Sequence, residues 1–167
     1  PQAQFEQIEI DVDKTAGWNT YHSECGFSIK YPDTMIAKKD LRDYGKAGEN
    51  QCASISDREL KILLEGYSDL WINVVRNPLG SKVYDKTINS LEEYAEAYSY
   101  GQEILTVKKK IGNLEGIEGK FPGVGDNTTF FFQNGNYIYN INWESKYNQG
   151  LKDVIYAIIG SIDFDSI

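Results

Sequence analysis

The dipeptide Asn134-Gly135 separates two aromatic runs, Thr128-Thr129-Phe130-Phe131-Phe132-Gln133 and Asn136-Tyr137-Ile138-Tyr139-Asn140-Ile141-Asn142-Trp143, and no other stretch restricts the fold as strongly. Asn-Gly readily supplies the two positive-φ residues of a type I′ turn, so the runs predict a tight β-hairpin. A two-residue loop at Asn134-Gly135 places Phe132 opposite Tyr137, Phe130 opposite Tyr139 and Thr128 opposite Ile141, and alternation adds Trp143 to the same face. Phe131 and Ile138 fall on the other face. Large apolar groups on both faces call for a sheet covered on both sides. After Glu144 the apolar period changes from two to 3.6. Leu151, Val154, Ile155, Ile158, Ile159 and Ile162 then form one stripe, which predicts a helix lying on one face of the hairpin.

The remaining chain reads as further strands with one more helix. From Trp18 to Met35 the alternation through Phe27, Ile29 and Tyr31 stops at Pro32-Asp33, as in a hairpin or a bent pair of strands. A charged, Gly-containing loop is expected from Ala37 to Gln51. Strand signals follow at Cys52 to Ser56 and Glu59 to Leu64. Leu70 to Arg76 has the β-branched, two-sided apolar character of a central strand. Ser90 and Glu93 have capping-box spacing ahead of Leu91, Tyr94, Ala95 and Tyr98, and Gly101 can end that helix. Two more strands are expected around Glu103 to Ile111 and Asn113 to Phe121, joined by Gly112-Asn113. About six strands, interrupted by one helix and finished by another, make an α+β fold with a mainly antiparallel sheet between helices. Residues 1–17 read as a linker or N-terminal extension, and residues 18–167 as one domain.

A chain of 167 residues can bury a sizeable core without metal or disulfide staples. Its net charge of −8 argues against a nucleic-acid or anionic-membrane surface, because both need clustered Lys and Arg to displace counterions. The single basic run, Lys108-Lys109-Lys110, is expected at a solvated strand end. No run of 18 apolar residues is present, so no helical membrane span is expected. Pro1 in place of Met leads to the expectation of a removed upstream segment, a signal peptide or an anchor. Cys25 and Cys52 are the only cysteines. They fit one bridge in an exported protein or two separate buried thiols in a cytosolic one.

Gly17-Trp18-Asn19-Thr20-Tyr21, followed by Gly26-Phe27-Ser28-Ile29-Lys30-Tyr31-Pro32, resembles the opening of PsbP-like domains of exported bacterial proteins and lipoproteins. The ending is similar too, an aromatic hairpin and then a helix running into Ile158-Ile159-Gly160-Ser161-Ile162-Asp163-Phe164. The family often has Ser-Phe-x-Phe there, and Ile162 stands where its first Phe would be. The resemblance spans Trp18 to Phe164, with its specific motifs at the two ends and a middle that matches in pattern only. It implies an α/β/α sandwich around a central antiparallel sheet, often tethered outside the cytoplasmic membrane by an upstream anchor. Members include an extrinsic photosystem II subunit and a nuclear Ran-binding protein, so the fold does not fix the function.

Few residues carry a chemical signal. His22 is the only histidine, shares a strand face with Glu24 and stands near Cys25. A Cys/His pair can form an activated nucleophile, and His with a carboxylate and a thiolate can bind zinc, but no third orienting group is identifiable. The carboxylate pairs lack the spacing of a calcium loop. No phosphate-binding or dinucleotide motif is present. An aromatic platform flanked by Asn and acidic groups suits a glycan, yet alternation turns Trp143 away from Asn140 and Asn142, towards the core. Trp18, Tyr44, Tyr67 and Tyr84 stand in loop-like sequence and are candidate exposed contacts, together with His22 and Glu24. The expectation is a non-catalytic, extracytoplasmic binding or accessory module at the cell surface or in the periplasm, anchored through a segment absent from this chain. It would recognise a protein partner and need no cofactor or metal. A binder of saccharide or divalent cation is the first alternative, and a thiol or histidine enzyme the second.

Overall fold

The computed structural model describes residues 4–39, 51–57, 70–121, 128–145 and 151–165. The strand expected at Glu59 to Leu64, most of the loop from Ala37 to Gln51, and Tyr44 and Tyr67 lie outside these residues. In chain order the elements are β1 (Glu6–Ile8), α1 (Val12–Thr15), β2 (Asn19–Ser23), β3 (Phe27–Tyr31), β4 (Ile36–Lys38) and β5 (Gln51–Ser56). There follow β6 (Leu70–Pro78), β7 (Lys82–Val83), β8 (Lys86–Thr87), α2 (Leu91–Tyr98) and β9 (Thr106–Ile111). The chain finishes with β10 (Leu114–Lys120), β11 (Thr128–Asn134), β12 (Tyr137–Ser145), α3 (Lys152–Gly160) and β13 (Asp163–Phe164). Helices set between runs of mainly antiparallel strands make this an α+β fold.

The aromatic hairpin sits inside an eight-stranded sheet of order β1-β9-β10-β11-β12-β6-β5-β4, two strands more than expected. The added strands are its edges, β1 and β4, each three residues long. Such pieces are too short to display a period of two. All neighbours are antiparallel except β1 on β9. Thus β1, within the N-terminal extension, belongs to the sheet, and Ile8 and Ile10 pack against the core. The Trp18-to-Met35 pair, β2 and β3, leaves the main sheet and joins β13 in a three-stranded one.

The hairpin register differs from the expected one. Asn134 pairs with Tyr137, Phe132 with Tyr139 and Phe130 with Ile141, so the two loop residues are Gly135-Asn136 rather than Asn134-Gly135. Only Gly135 has positive φ there, +59°, the pattern of a II′ turn with Gly at its first central position. Moving the turn by one residue slides the pairing by two and preserves every face. Phe130, Phe132, Tyr139, Ile141 and Trp143 therefore still share one core with Ile155, Tyr156, Ile158 and Ile159 of α3. The opposite face carries Phe131 and Ile138 with Tyr94, Ala95 and Ala97 of α2. Ser90 caps α2 by accepting the Glu93 N–H at 3.1 Å, and the Glu93 carboxylate accepts the Asn89 N–H at 2.6 Å. The reciprocal half of the expected capping box thus reaches one residue further back.

Cys25 and Cys52 form a disulfide between the turn after β2 and strand β5. It joins the three-stranded sheet to the main one. Ser23 Oγ donates to the Cys52 carbonyl at 2.8 Å and Arg76 Nη1 to the Cys25 carbonyl at 3.2 Å, so both ends are held by hydrogen bonds. Such bridges persist in oxidising compartments.

Candidate functional site

Strands β7 and β8 form a small hairpin in which Val83 pairs with Lys86, leaving Tyr84-Asp85 as a two-residue turn. Both have positive φ, 47° and 67°, as a I′ turn demands, but the residues favoured there are Asn and Gly. Tyr100 has φ 53° just beyond α2, at the left-handed position that usually falls to Gly. A left-handed conformation costs an L-residue with a Cβ about 1–2 kcal/mol. Two tyrosines thus occupy positions that favour small residues, and their rings meet. Tyr84 and Tyr100 have centroids 4.4 Å apart, and Tyr84 lies 5.6 Å from Tyr98. Tyr84 is 51% and Tyr100 55% exposed, which makes them two of the few large rings facing solvent among the described residues.

Beneath this surface the contacts become progressively polar and buried. Tyr98, which meets Tyr84 at the surface, packs inward against Phe131 at 5.3 Å. Tyr98 also stacks on Tyr94, with centroids 5.4 Å apart, and Asn140 beside Tyr94 is fully buried. Asn77 Nδ2 donates to the Tyr94 hydroxyl at 2.6 Å, and Asn140 Nδ2 does so at 3.4 Å. Asn142 Nδ2 donates to Asn140 Oδ1, and Thr129 Oγ1 to Asn142 Oδ1 at 2.6 Å. Burial pushes the pKa values of Tyr84, Tyr94 and Tyr98 above the ordinary phenol range. These hydroxyls stay protonated at neutral pH, so the cluster offers rings and hydrogen bonds but no general base.

A second cluster lies on the other face of the sheet. Lys109 is 5% exposed, which corrects the expectation that the whole basic run is solvated. Alternation turns it inward with Ile111 while Lys108 stays exposed. Its Nζ donates to Glu118 Oε1 at 2.7 Å and to the Tyr156 hydroxyl at 2.8 Å, and that hydroxyl donates to Glu118 Oε2 at 2.7 Å. Burial lowers the Lys109 pKa, but bonds to Glu118 and Tyr156 outweigh it and the net direction is up. Burial pushes Tyr156 up to about 12. A lysine already neutralised by a carboxylate does not activate its tyrosine, so this closed ring of bonds ties strands to helix.

The residues singled out in the sequence are dispersed. Trp18 is half-buried against the core. His22 is exposed on β2, which lies at an edge of the small sheet, paired with Ser28. Glu24 lies in the following turn and pairs with Lys39 at 2.6 Å, where both side chains are largely exposed. Cys25 is committed to the disulfide and has no thiolate to offer a Cys/His pair. Among the described residues no group of three or more His, Cys, Asp or Glu side chains converges as for a metal ion. No described helix is long and apolar enough to cross a membrane. Trp143 is 6% exposed, and Phe132 stacks on Tyr139 at 5.1 Å within the core, so that aromatic row offers no open platform. Of the four candidate contacts within the described residues, Trp18, His22, Glu24 and Tyr84, only Tyr84 joins an exposed cluster. Of its neighbours there, Tyr98 reads in the sequence only as part of the apolar stripe of its helix, and Tyr100 carries no signal beyond aromatic character just before Gly101.

A cavity of about 490 Å³ opens at the end of the sheet near the β9–β10 and β11–β12 turns. Phe132 and Phe164 line it together with Asn113, Asn134, Glu115 and Asp163.

No protein-family model matches the sequence, and no curated protein matches it. Among solved structures the chain is similar to a crystallised protein of Bacteroides thetaiotaomicron VPI-5482, with 84% of this chain covered, 12% identity and a TM-score of 0.52. This chain spans less than half, 45%, of that protein's length. It is also similar to the solution structure of PsbP (CyanoP) from Synechocystis sp. PCC 6803, with 89% of this chain and 93% of that chain covered, 13% identity and a TM-score of 0.48. At 12% identity the Bacteroides likeness establishes a shared fold and leaves function to the residues.

Proposed function

We propose that this chain is a non-catalytic extracytoplasmic binding module that recognises a protein partner through the Tyr84–Tyr98–Tyr100 surface. The observation that carries this reading is the placement of two half-exposed tyrosines on left-handed backbone. Strained non-glycine residues persist where the surroundings hold them and gather at binding sites. Tyrosine is also a favoured anchor of protein interfaces, because it presents large area with few rotatable bonds. Export and tethering through an upstream segment, and an α/β/α layering of α2, sheet and α3, belong to the same proposal. The disulfide supports the compartment.

The test separates rings from fold. Tyr84→Asn and Tyr100→Gly together install residues that tolerate positive φ and remove both rings. The double variant is expected to retain its circular-dichroism spectrum and cooperative melt, and to lose the polypeptide that the unaltered domain captures from an envelope extract. Equal capture by both forms would overturn the reading. One observation favours a second reading, a saccharide binder. The cavity combines the Phe164 ring with amide and carboxylate groups, the composition of a glycan site. A glycan at 100 times its Kd would stabilise the fold by about 2.7 kcal/mol, raising the melting midpoint by roughly 5–10 °C. A flat glycan screen at saturating concentrations would remove this second reading.

A further inference from the structure

We propose that Tyr84 and Tyr100 are a cross-linking pair, joined by a peroxide-driven one-electron oxidant into an intramolecular dityrosine that staples the β7–β8 hairpin to the end of α2. Their centroids are 4.4 Å apart with planes tilted by 46°, close to the separation of two directly bonded rings. Both rings are about half exposed, within reach of an oxidant. The left-handed backbone at Tyr84 and Tyr100 aims them at one another across 16 residues of chain.

The chemistry balances without any group from the protein beyond the two phenols. Each phenol gives up one electron and one proton. The resulting radicals join through their ortho carbons, and each joined carbon passes its hydrogen to its oxygen as the ring regains aromaticity. One molecule of hydrogen peroxide takes up the two electrons and two protons and leaves as two waters. Tyr98, 5.6 Å from Tyr84, is the nearest competitor. Its ring packs edge-on against Phe121 and Phe131, at 6.3 and 5.3 Å, and is more deeply buried than the other two. The inference is independent of the docking surface, since it needs no partner.

The experiment treats the disulfide-intact protein at low concentration with a haem peroxidase and one equivalent of hydrogen peroxide. Expected is a monomeric product lighter by two hydrogen atoms, with dityrosine fluorescence and a cross-linked peptide containing Tyr84 and Tyr100. Tyr84→Phe and Tyr100→Phe should each abolish that product, since phenylalanine cannot form the phenoxyl radical. Cross-links solely between molecules, a link from Tyr84 to Tyr98, or no loss of hydrogen while the peroxide is consumed would each overturn it. A melting midpoint higher in the cross-linked monomer is the expected physical consequence. An unchanged or lower midpoint would overturn the stapling role.

Discussion

At the scale of single residues, the fold is decided by positions where a Cβ is either strained or excluded. Tyr84 and Tyr100 accept a strained backbone, and Gly116 marks the opposite case. A Cβ at Gly116 would stand 2.1 Å from the Phe131 carbonyl oxygen and 2.7 Å from the Phe130 ring. Gly116→Ala would therefore push β10 from β11 or displace a fully buried phenylalanine, and overpacking of this kind costs about 1–3 kcal/mol. Urea denaturation is expected to show that loss, while Gly17→Ala, with nothing within 4 Å of its added Cβ, serves as the neutral control. Equal midpoints for the two variants would refute the close approach. None of this is legible in the sequence. Gly116 lies in a run with Gly119 that also reads as turn glycines, and the φ of Tyr100 follows from how α2 ends against its neighbours.

At the scale of elements, α3 is fixed to the sheet by the Lys109–Glu118–Tyr156 ring of bonds as well as by apolar packing. The side chains of Lys109 and Glu118 are only 7% and 14% exposed, so removing one charge strands the other in a dry site. Lys109→Met is expected to cost about 3–5 kcal/mol, towards the low end because Glu118 keeps some access to water. Replacing the whole cluster, Lys109→Met with Glu118→Leu and Tyr156→Phe, should recover most of that loss, since apolar groups of similar size often match a buried ion pair. A triple variant no more stable than the single one, measured by urea unfolding, would show that the loss is one of packing. The sequence discloses these elements unevenly. The period of 3.6 in α3, the Ser90 cap of α2 and the faces of the aromatic hairpin all follow from local pattern, and face assignment survives the shift of the turn to Gly135-Asn136 because side-chain alternation is insensitive to a slip of two. The edge strands β1 and β4 do not, because three residues show no period and their pairing is decided by what lies beside them. Lys109 is legible only once the parity of Ile111 is applied to the basic run.

At the scale of the whole molecule, the tyrosines couple stability to alkaline pH. Burial raises Tyr94, Tyr98, Tyr84 and Tyr139, and it pushes Tyr156 from 10.0 to about 12. Lys109 moves in the same direction through its bonds to Glu118 and Tyr156, which outweigh the opposing effect of burial. A group with a folded-state pKa above its unfolded value keeps more protons folded than unfolded, so stability falls as pH rises through the interval between the two. Below about pH 10 these contributions are fully present. From pH 10 to 12 the contribution of Tyr156 is lost, those of the more strongly shifted phenols follow at higher pH, and a chain that already carries −8 at neutral pH also gains further repulsive charge. The urea midpoint should therefore stay level from neutral pH to about 10 and then fall steeply. Tyrosinate absorbance separates the causes: the buried phenols should ionise together with unfolding. A full tyrosinate rise centred near pH 10 in a protein still folded by circular dichroism would mean that the packed rings from Tyr84 through Tyr98 to Tyr94 are open to water. The buried support assigned to the candidate surface would then be absent.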